Sequence, residues 1–351
     1  MLDMQLGETK YAAAAQLVMS KLIDIHEGGG ENDHLTLDTW EWPQGVAVYA
    51  MLKVYEQTHS AQLLSFLTSW YETHLRKGLP VRNVNTTAPM LGMVLLYEHT
   101  GDPQYVPLIR DWAQWVMQDM PRTQEGGLQH ITTHDINKQQ LWDDTLFMTV
   151  LFLYRAGRAL GETAWMQEAE YQFLLHIKYL FCQENNLWYH GWTFDGRHHF
   201  GGAFWARGNS WYTAGAIDFI ELLPDGPVRR TVLETWRGQC LQLCALQDEV
   251  TGLWHTLLDH PDSYLETSAS AAIAYGLLKG VRLGLLPDAC GVSARKALDG
   301  VLAQVGADGI VGGVSYGTPM GSDLDFYKKI PICPTAYGQG LTFLMLTEVM
   351  R

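Results

Sequence analysis

Two adjacent carboxylates, Asp143 and Asp144, stand between Trp142 and the apolar run that opens with Thr145, Leu146, Phe147 and Met148. Aspartate just ahead of a helical run is a common N-cap, favoured by the helix dipole. Only one of the two can serve as the cap. The other projects from the first turn beside Trp142, where burial against an indole raises a carboxyl pKa and suits it to general-acid work. The helix terminus opposes that shift, and a bound anionic substrate reinforces it.

Five further clusters carry chemistry-bearing side chains: Trp40–Gly45 (WEWPQG), Asn83–Pro89 (NVNTTAP), His130–Asp135 (HITTHD), Tyr189–Trp192 (YHGW) and Phe204–Trp211 (FWARGNSW). Arg207, between Trp205 and Trp211, is either one half of a salt bridge or a fork for a carboxylate or a hydroxyl pair, with the two indoles as a stacking wall. His190 suits hydrogen bonding to sugar hydroxyls. His130 and His134 are four residues apart, but no HExxH accompanies them and no metal site is expected. The chain has no GxxxxGK[ST], no strand–GxGxxG–helix unit and no GxSxG elbow, so neither a nucleotide cofactor nor serine hydrolysis is expected.

The elements that hold these clusters alternate in character. Segments 11–26, 61–76, 106–120, 162–182, 228–246 and 289–304 are amphipathic. Each is followed by a segment that is apolar nearly all round and rich in Gly and Ala: 45–55, 89–98, 146–160, 213–223, 269–283 and 337–349. One-sided helices lie at a surface and all-round apolar ones are buried. Six such pairs predict an all-α, (α/α)6 toroid of six inner and six outer helices, formed by residues 1–351 as one catalytic domain. Inner-to-outer turns are short, whereas the loops at 121–141, 183–206, 247–267 and 305–335 are long. All six clusters therefore fall on the face that carries the inner-helix N-termini, and that face is where a site is expected. Lys328 and Lys329 in the last loop read as a solvated pair that adds positive potential at its mouth.

Composition narrows the partners. With 24 Lys and Arg against 38 Asp and Glu, the net charge is −14, which argues against nucleic acid and anionic membranes. An anionic ligand then needs local help, and helix N-termini supply it. Thirteen Trp is a high number; most belong in a core, while those in loops suit the apolar face of a sugar ring. Five cysteines without a CxxC suggest neither zinc nor a disulfide framework and fit a reducing compartment. The N-terminal MLDMQLGETK lacks the pattern of a signal peptide and no membrane-length apolar stretch appears, so a cytoplasmic location is expected.

The segment WDDTLFM at Trp142–Met148 resembles the W-x-D-[ST]-L-x-M segment of glycoside hydrolase family 105, the unsaturated rhamnogalacturonyl hydrolases, sibling of the family 88 unsaturated glucuronyl hydrolases. HGW at His190–Trp192, WARGNSW at Trp205–Trp211, WEWPQG and NTTAP match that pattern in order through the first two-thirds of the chain. The resemblance implies a toroid without metal or cofactor. Its substrate would be a small disaccharide whose non-reducing sugar is a Δ4,5-unsaturated galacturonate. Asp144 would protonate C4 of the vinyl ether and activate water at C5, and rhamnose would leave. One carboxylate then suffices where ordinary glycosidases need two. By the same resemblance Trp42, Asn85, His134, His190, Trp205, Arg207, Asn209 and Trp211 bind substrate. The glucuronyl branch carries a second Asp near the start of its second inner helix; this chain has Asn85 there and no acid between Asn83 and Pro89, which favours the rhamnogalacturonyl branch. The competing readings are an unsaturated glucuronyl hydrolase, a sugar 2-epimerase using paired histidines, and a non-catalytic sugar-binding protein.

Overall fold

The computed structural model describes residues 4–25 and 35–351. The outer helices are α1 (Lys10–Asp24), α3 (Ala61–Lys77), α5 (Val106–Gln118), α7 (Thr163–Leu180), α9 (Pro227–Ala245) and α11 (Asp288–Leu302). Between them run the inner helices α2 (Trp42–Thr58), α4 (Val84–Thr100), α6 (Leu151–Leu160), α8 (Ala206–Leu222), α10 (Thr267–Arg282) and α13 (Ala336–Glu348). A short α12 (Leu324–Lys328) lies in the last long loop. The residue predicted to end the first outer helix, His26, lies outside the described residues.

The inner helices pack in sequence, α2 on α4, α4 on α6, α6 on α8, α8 on α10 and α10 on α13, and α13 returns to α2. That last contact closes the ring, so the expected (α/α)6 toroid is the fold, rather than an open solenoid. Burial follows the composition. Every residue of α13 is buried, whereas outer α5 buries only Ile109, Trp112, Ala113 and Val116, a single stripe at helical spacing. Small residues set the inner spacing. A Cβ on Gly340 would meet Ala47 Cα at 2.7 Å, and one on Gly276 would meet Thr213 Cγ2 at 2.7 Å. α2, α8 and α10 meet in a buried polar cluster. There Asp218 accepts hydrogen bonds from Tyr49, from Lys279 and, at 2.7 Å, from Tyr275. The end of the ring opposite the long loops is thus filled.

Three inner helices begin at least three residues earlier than the apolar patterning predicts: α2 at Trp42, α4 at Val84 and α8 at Ala206. Polar side chains start two of them. Glu41 accepts the Trp42 N–H, and Asn83 exchanges side-chain and backbone hydrogen bonds with Thr86 in a capping box. Pro89, expected near the start of α4, instead lies inside it. It cannot return a hydrogen bond to the Asn85 carbonyl. The consequence is that Trp42, Asn85 and Arg207 sit in first turns at the mouth of the ring rather than on loops.

Candidate active site

The mouth opens into a cavity of about 340 Å³, lined among others by Trp42, Asn85, His130, His134, Trp142, Asp144, Trp205, Arg207 and Thr318. That size is typical of a small-molecule site. A two-stranded ribbon brings the acids to the floor. Strand β1 (Gln140–Trp142) pairs antiparallel with β4 (Gly191–Thr193), with Trp142 opposite Gly191. The ribbons β2 (Phe181–Cys182) with β3 (Leu187–Trp188) and β5 (Trp254–His255) with β6 (Leu265–Glu266) brace the neighbouring loops. At the end of β1 the Asp143 N–H donates to the His190 carbonyl at 3.1 Å. That bond sets the imidazole beside the acid pair: His190 Nε2 lies 3.3 Å from Asp144 Oδ2. The contact is electrostatic rather than a fully formed hydrogen bond, and such contacts tighten when substrate binds.

Neither aspartate side chain caps the helix that follows. The chain enters α6 through a π-helical turn, Leu146–Val150, with no side-chain cap. Turns of this kind recur at functional sites. The acids are therefore freed for other work, and their environments drive them apart. Asp143 is fully buried, with neither carboxylate oxygen hydrogen-bonded. Burial, then the neighbouring Asp144 charge, pushes its carboxyl well above the usual range. Asp144 faces the cavity with 17% of its side chain exposed. Burial alone would raise it too, but the adjacent His190 outweighs that and holds it below the usual carboxylate range. One neutral acid thus lies against one ionised acid. His130 stacks on Trp142, with ring centroids 4.1 Å apart and planes within 7°, and its Nδ1 is 2.9 Å from Thr145 Oγ1. Burial holds its pKa down at about 3, so it is neutral.

A model of glycosyl hydrolase family 88 matches residues 16–351. The chain belongs to that family. It is a glycoside hydrolase. Unsaturated rhamnogalacturonyl hydrolase YesR of Bacillus subtilis (strain 168) is 35% identical over 320 residues, 89% of this chain and 90% of the relative. Two solved structures are described as possible GH105 members. The one from Salmonella enterica serovar Paratyphi A is 43% identical, with a TM-score of 0.94 over 97% of this chain and 94% of its own. The one from Klebsiella pneumoniae is 41% identical, with a TM-score of 0.94 over 98% and 94%.

The family-88 toroid brings together Asp144, Trp42, Asn85, His134, Trp205 and Arg207 as cavity walls, with His190 behind Asp144. Two of the predicted binding residues have other surroundings. Asn209 is fully buried. Its amide accepts the Trp188 N–H at 2.8 Å and donates to the Trp188 and Trp205 carbonyls, each at 2.9 Å, so it ties β3 to α8 rather than reaching the cavity. Trp211 is buried edge-on against Trp42, with centroids 6.0 Å apart, and buttresses that wall from behind. Replacing Asn209 by Ala is therefore expected to lower stability by about 2–3 kcal/mol, since the Trp188 backbone groups lose their partners, while KM stays within a factor of about two. Thermal melts and steady-state kinetics on the same preparation check both parts.

Arg207 is also less free than a substrate fork would be. Its two terminal nitrogens donate to the Ser315 carbonyl at 2.9 Å, the Tyr316 carbonyl at 2.8 Å, Thr318 Oγ1 at 2.8 Å, and Ser315 Oγ. Buried Glu266 lies 3.8 Å away as its counter-charge. Only Nε is left without a partner. Arg207 thus fastens the last long loop over the cavity, and that loop supplies Gly317, Thr318 and Pro319 to the wall. Sequence reasoning missed those three residues, Glu266 and the buried Tyr327; for Gly317, Thr318 and Pro319 the length of the 305–335 loop was the available signal. Lys328, expected to add potential at the mouth, pairs instead with Asp262 at 2.6 Å.

Proposed function

We propose that this glycoside hydrolase acts on an unsaturated rhamnogalacturonan disaccharide by adding water across the Δ4,5 double bond of its non-reducing galacturonate. The observation that carries the reading is Asp144, a carboxylate that lines the cavity between Asp143 and His190, whereas Glu41 and Asp135, which also line it, stand outside that cluster. The kinship with YesR, itself an unsaturated rhamnogalacturonyl hydrolase, supports the substrate class. Residues 1–351 act as one catalytic domain.

The proton balance follows from the electrostatics. Asp144 is ionised in the empty site. A uronate carboxylate bound nearby raises its pKa, as like charges do, so Asp144 takes up a proton from solvent. The protonated acid delivers it to C4, leaving an oxocarbenium-like centre at C5. The regenerated carboxylate then removes a proton from the water that adds to C5, and Asp144 returns to its protonated state. The hemiketal opens and rhamnose departs; the net change is the addition of one water. Trp42 supplies a face for a sugar ring. The buried, unpartnered N–H groups of Arg207 Nε and Trp205 are donors suited to the uronate.

Location in the cytoplasm is part of the reading. It is supported by five free cysteines; among the described residues no helix is long and apolar enough to cross a membrane. Incubation of the purified protein with the unsaturated galacturonyl–rhamnose disaccharide is expected to abolish the ultraviolet absorbance of the conjugated double bond and release free rhamnose. A constant absorbance with that substrate sinks the reading, and the same assay on unsaturated glucuronyl disaccharides then tests the sibling activity.

A further inference from the structure

Behind His190, on the side away from Asp144, lies a buried phenol. Tyr327, from α12, is 1% exposed, and its hydroxyl oxygen is 2.7 Å from His190 Nδ1. The same oxygen accepts the Gly321 N–H at 3.1 Å. The His190 ring is itself 1% exposed and packs against Trp205, with centroids 4.4 Å apart, and Trp142, at 5.2 Å. Among the described residues its polar neighbours are thus Asp144 on one nitrogen and Tyr327 on the other.

A neutral imidazole carries one proton, and the partner of one nitrogen decides where it sits. A lone pair on Nε2 would point at the Asp144 carboxylate and be repelled, so Nε2 must hold the proton. In the neutral ring Nδ1 is then an acceptor and needs a donor. The Gly321 N–H already fills one lone pair of the Tyr327 oxygen, which leaves the phenol proton to be given. It can go to Nδ1 at 2.7 Å or to the Met320 thioether at 3.7 Å, and a thioether is the weaker acceptor.

We infer that Tyr327 is a positioning residue that donates to His190 Nδ1, locks the histidine in its Nε2–H tautomer and so aims an N–H donor at the catalytic carboxylate. The role deepens the proposed function and rests on it for its catalytic consequence. It also gives the last long loop a second task. Arg207 fastens the first part of that loop at Ser315 to Thr318, and α12 returns behind the site with Tyr327. The segment that roofs the cavity also sets the protonation pattern beneath it. Burial pushes the phenol above its ordinary range, so it stays a donor.

The test is Tyr327→Phe, which keeps the ring contacts and removes only the hydroxyl. Protein labelled with 15N-histidine reports the tautomer directly, with the His190 signals assigned by their loss in His190→Gln. Wild type is expected to show a protonated Nε2 and a bare Nδ1. In Tyr327→Phe the Nδ1–H form is expected to appear, kcat to fall about ten- to hundred-fold as for other lost outer hydrogen bonds to a functional histidine, and KM to change little. An unchanged tautomer in the variant overturns the inference, as does a changed tautomer with unchanged kcat. The resting-state spectrum needs no substrate. If wild type fails to turn over the unsaturated disaccharide, the proposed function falls while the tautomer measurement still judges the Tyr327 contact.

Discussion

Asp144→Asn is expected to reduce turnover by roughly a thousand-fold or more while the melting temperature moves by only a few degrees. The two side chains are nearly the same shape, so the cavity walls and the packing beneath them stay. What disappears is the capacity to take up and give a proton. A general acid or base contributes that order of magnitude to a rate, and in the proposed mechanism one group performs both transfers, with, among the described residues, no second cavity-lining carboxylate in the cluster with His190.

The stability side has a definite sign. The folded-state pKa of Asp144 is depressed, so its carboxylate contributes stability above its unfolded pKa, and that contribution is lost as pH falls through the folded value. Asn forgoes it at neutral pH. Against that loss, Asn removes a charge from a largely buried site. Kinetics that show a fallen kcat with KM near wild type locate the loss in the chemical step. Retained activity would instead make Asp144 a bystander and leave the sugar-binding reading standing.

The fold was legible because it rests on what sequence periodicity reports. Alternation between striped and all-round apolar segments, as in α5 against α13, gave six pairs, and the Gly- and Ala-rich inner segments gave their close approach. The limits of the inner helices were less legible because they are set by polar side chains. Glu41, and Asn83 with Thr86, extend α2 and α4 into stretches with no apolar signal. At the site, WDDTLFM pointed to the acid pair but assigned one of its members to capping. The π turn that removes that duty is a matter of backbone path, on which propensity is silent. Asn209 and Trp211 lie in one motif with Trp205 and Arg207, yet successive helical residues face different ways. Only part of WARGNSW meets the cavity; the rest holds β3 and buttresses Trp42. Tyr327 had no signal, since its partner is 137 residues away and only ring closure brings them together.

Gly208→Ala is expected to be the most damaging single-methyl change in the molecule's chemistry. A Cβ at Gly208 would lie 2.2 Å from Asp143 Oδ2, 2.9 Å from its Cγ and 3.0 Å from Oδ1, so the whole carboxyl group stands in its way. That carboxyl cannot simply swing aside. Asp143 is fully buried, and its backbone N–H is pinned to the His190 carbonyl. Any displacement presses on Asp144 or opens the β1–β4 ribbon that carries His190. Forcing a group into a packed interior costs about 1–3 kcal/mol, so a fall of a few degrees in melting temperature is expected. The rate is expected to suffer more, by roughly a hundred-fold, since misplacing a catalytic group by about 1 Å has that effect. Gly291→Ala is the control. In α11 its Cβ would approach nothing nearer than Arg295 Nη1 at 3.4 Å, the end of a flexible side chain. There the better helix propensity of Ala should raise stability by about 0.5–1 kcal/mol with activity unchanged. Were Gly208→Ala as active as Gly291→Ala, Asp143 would not be held against Asp144, and the pairing of one neutral and one ionised acid would no longer describe the site.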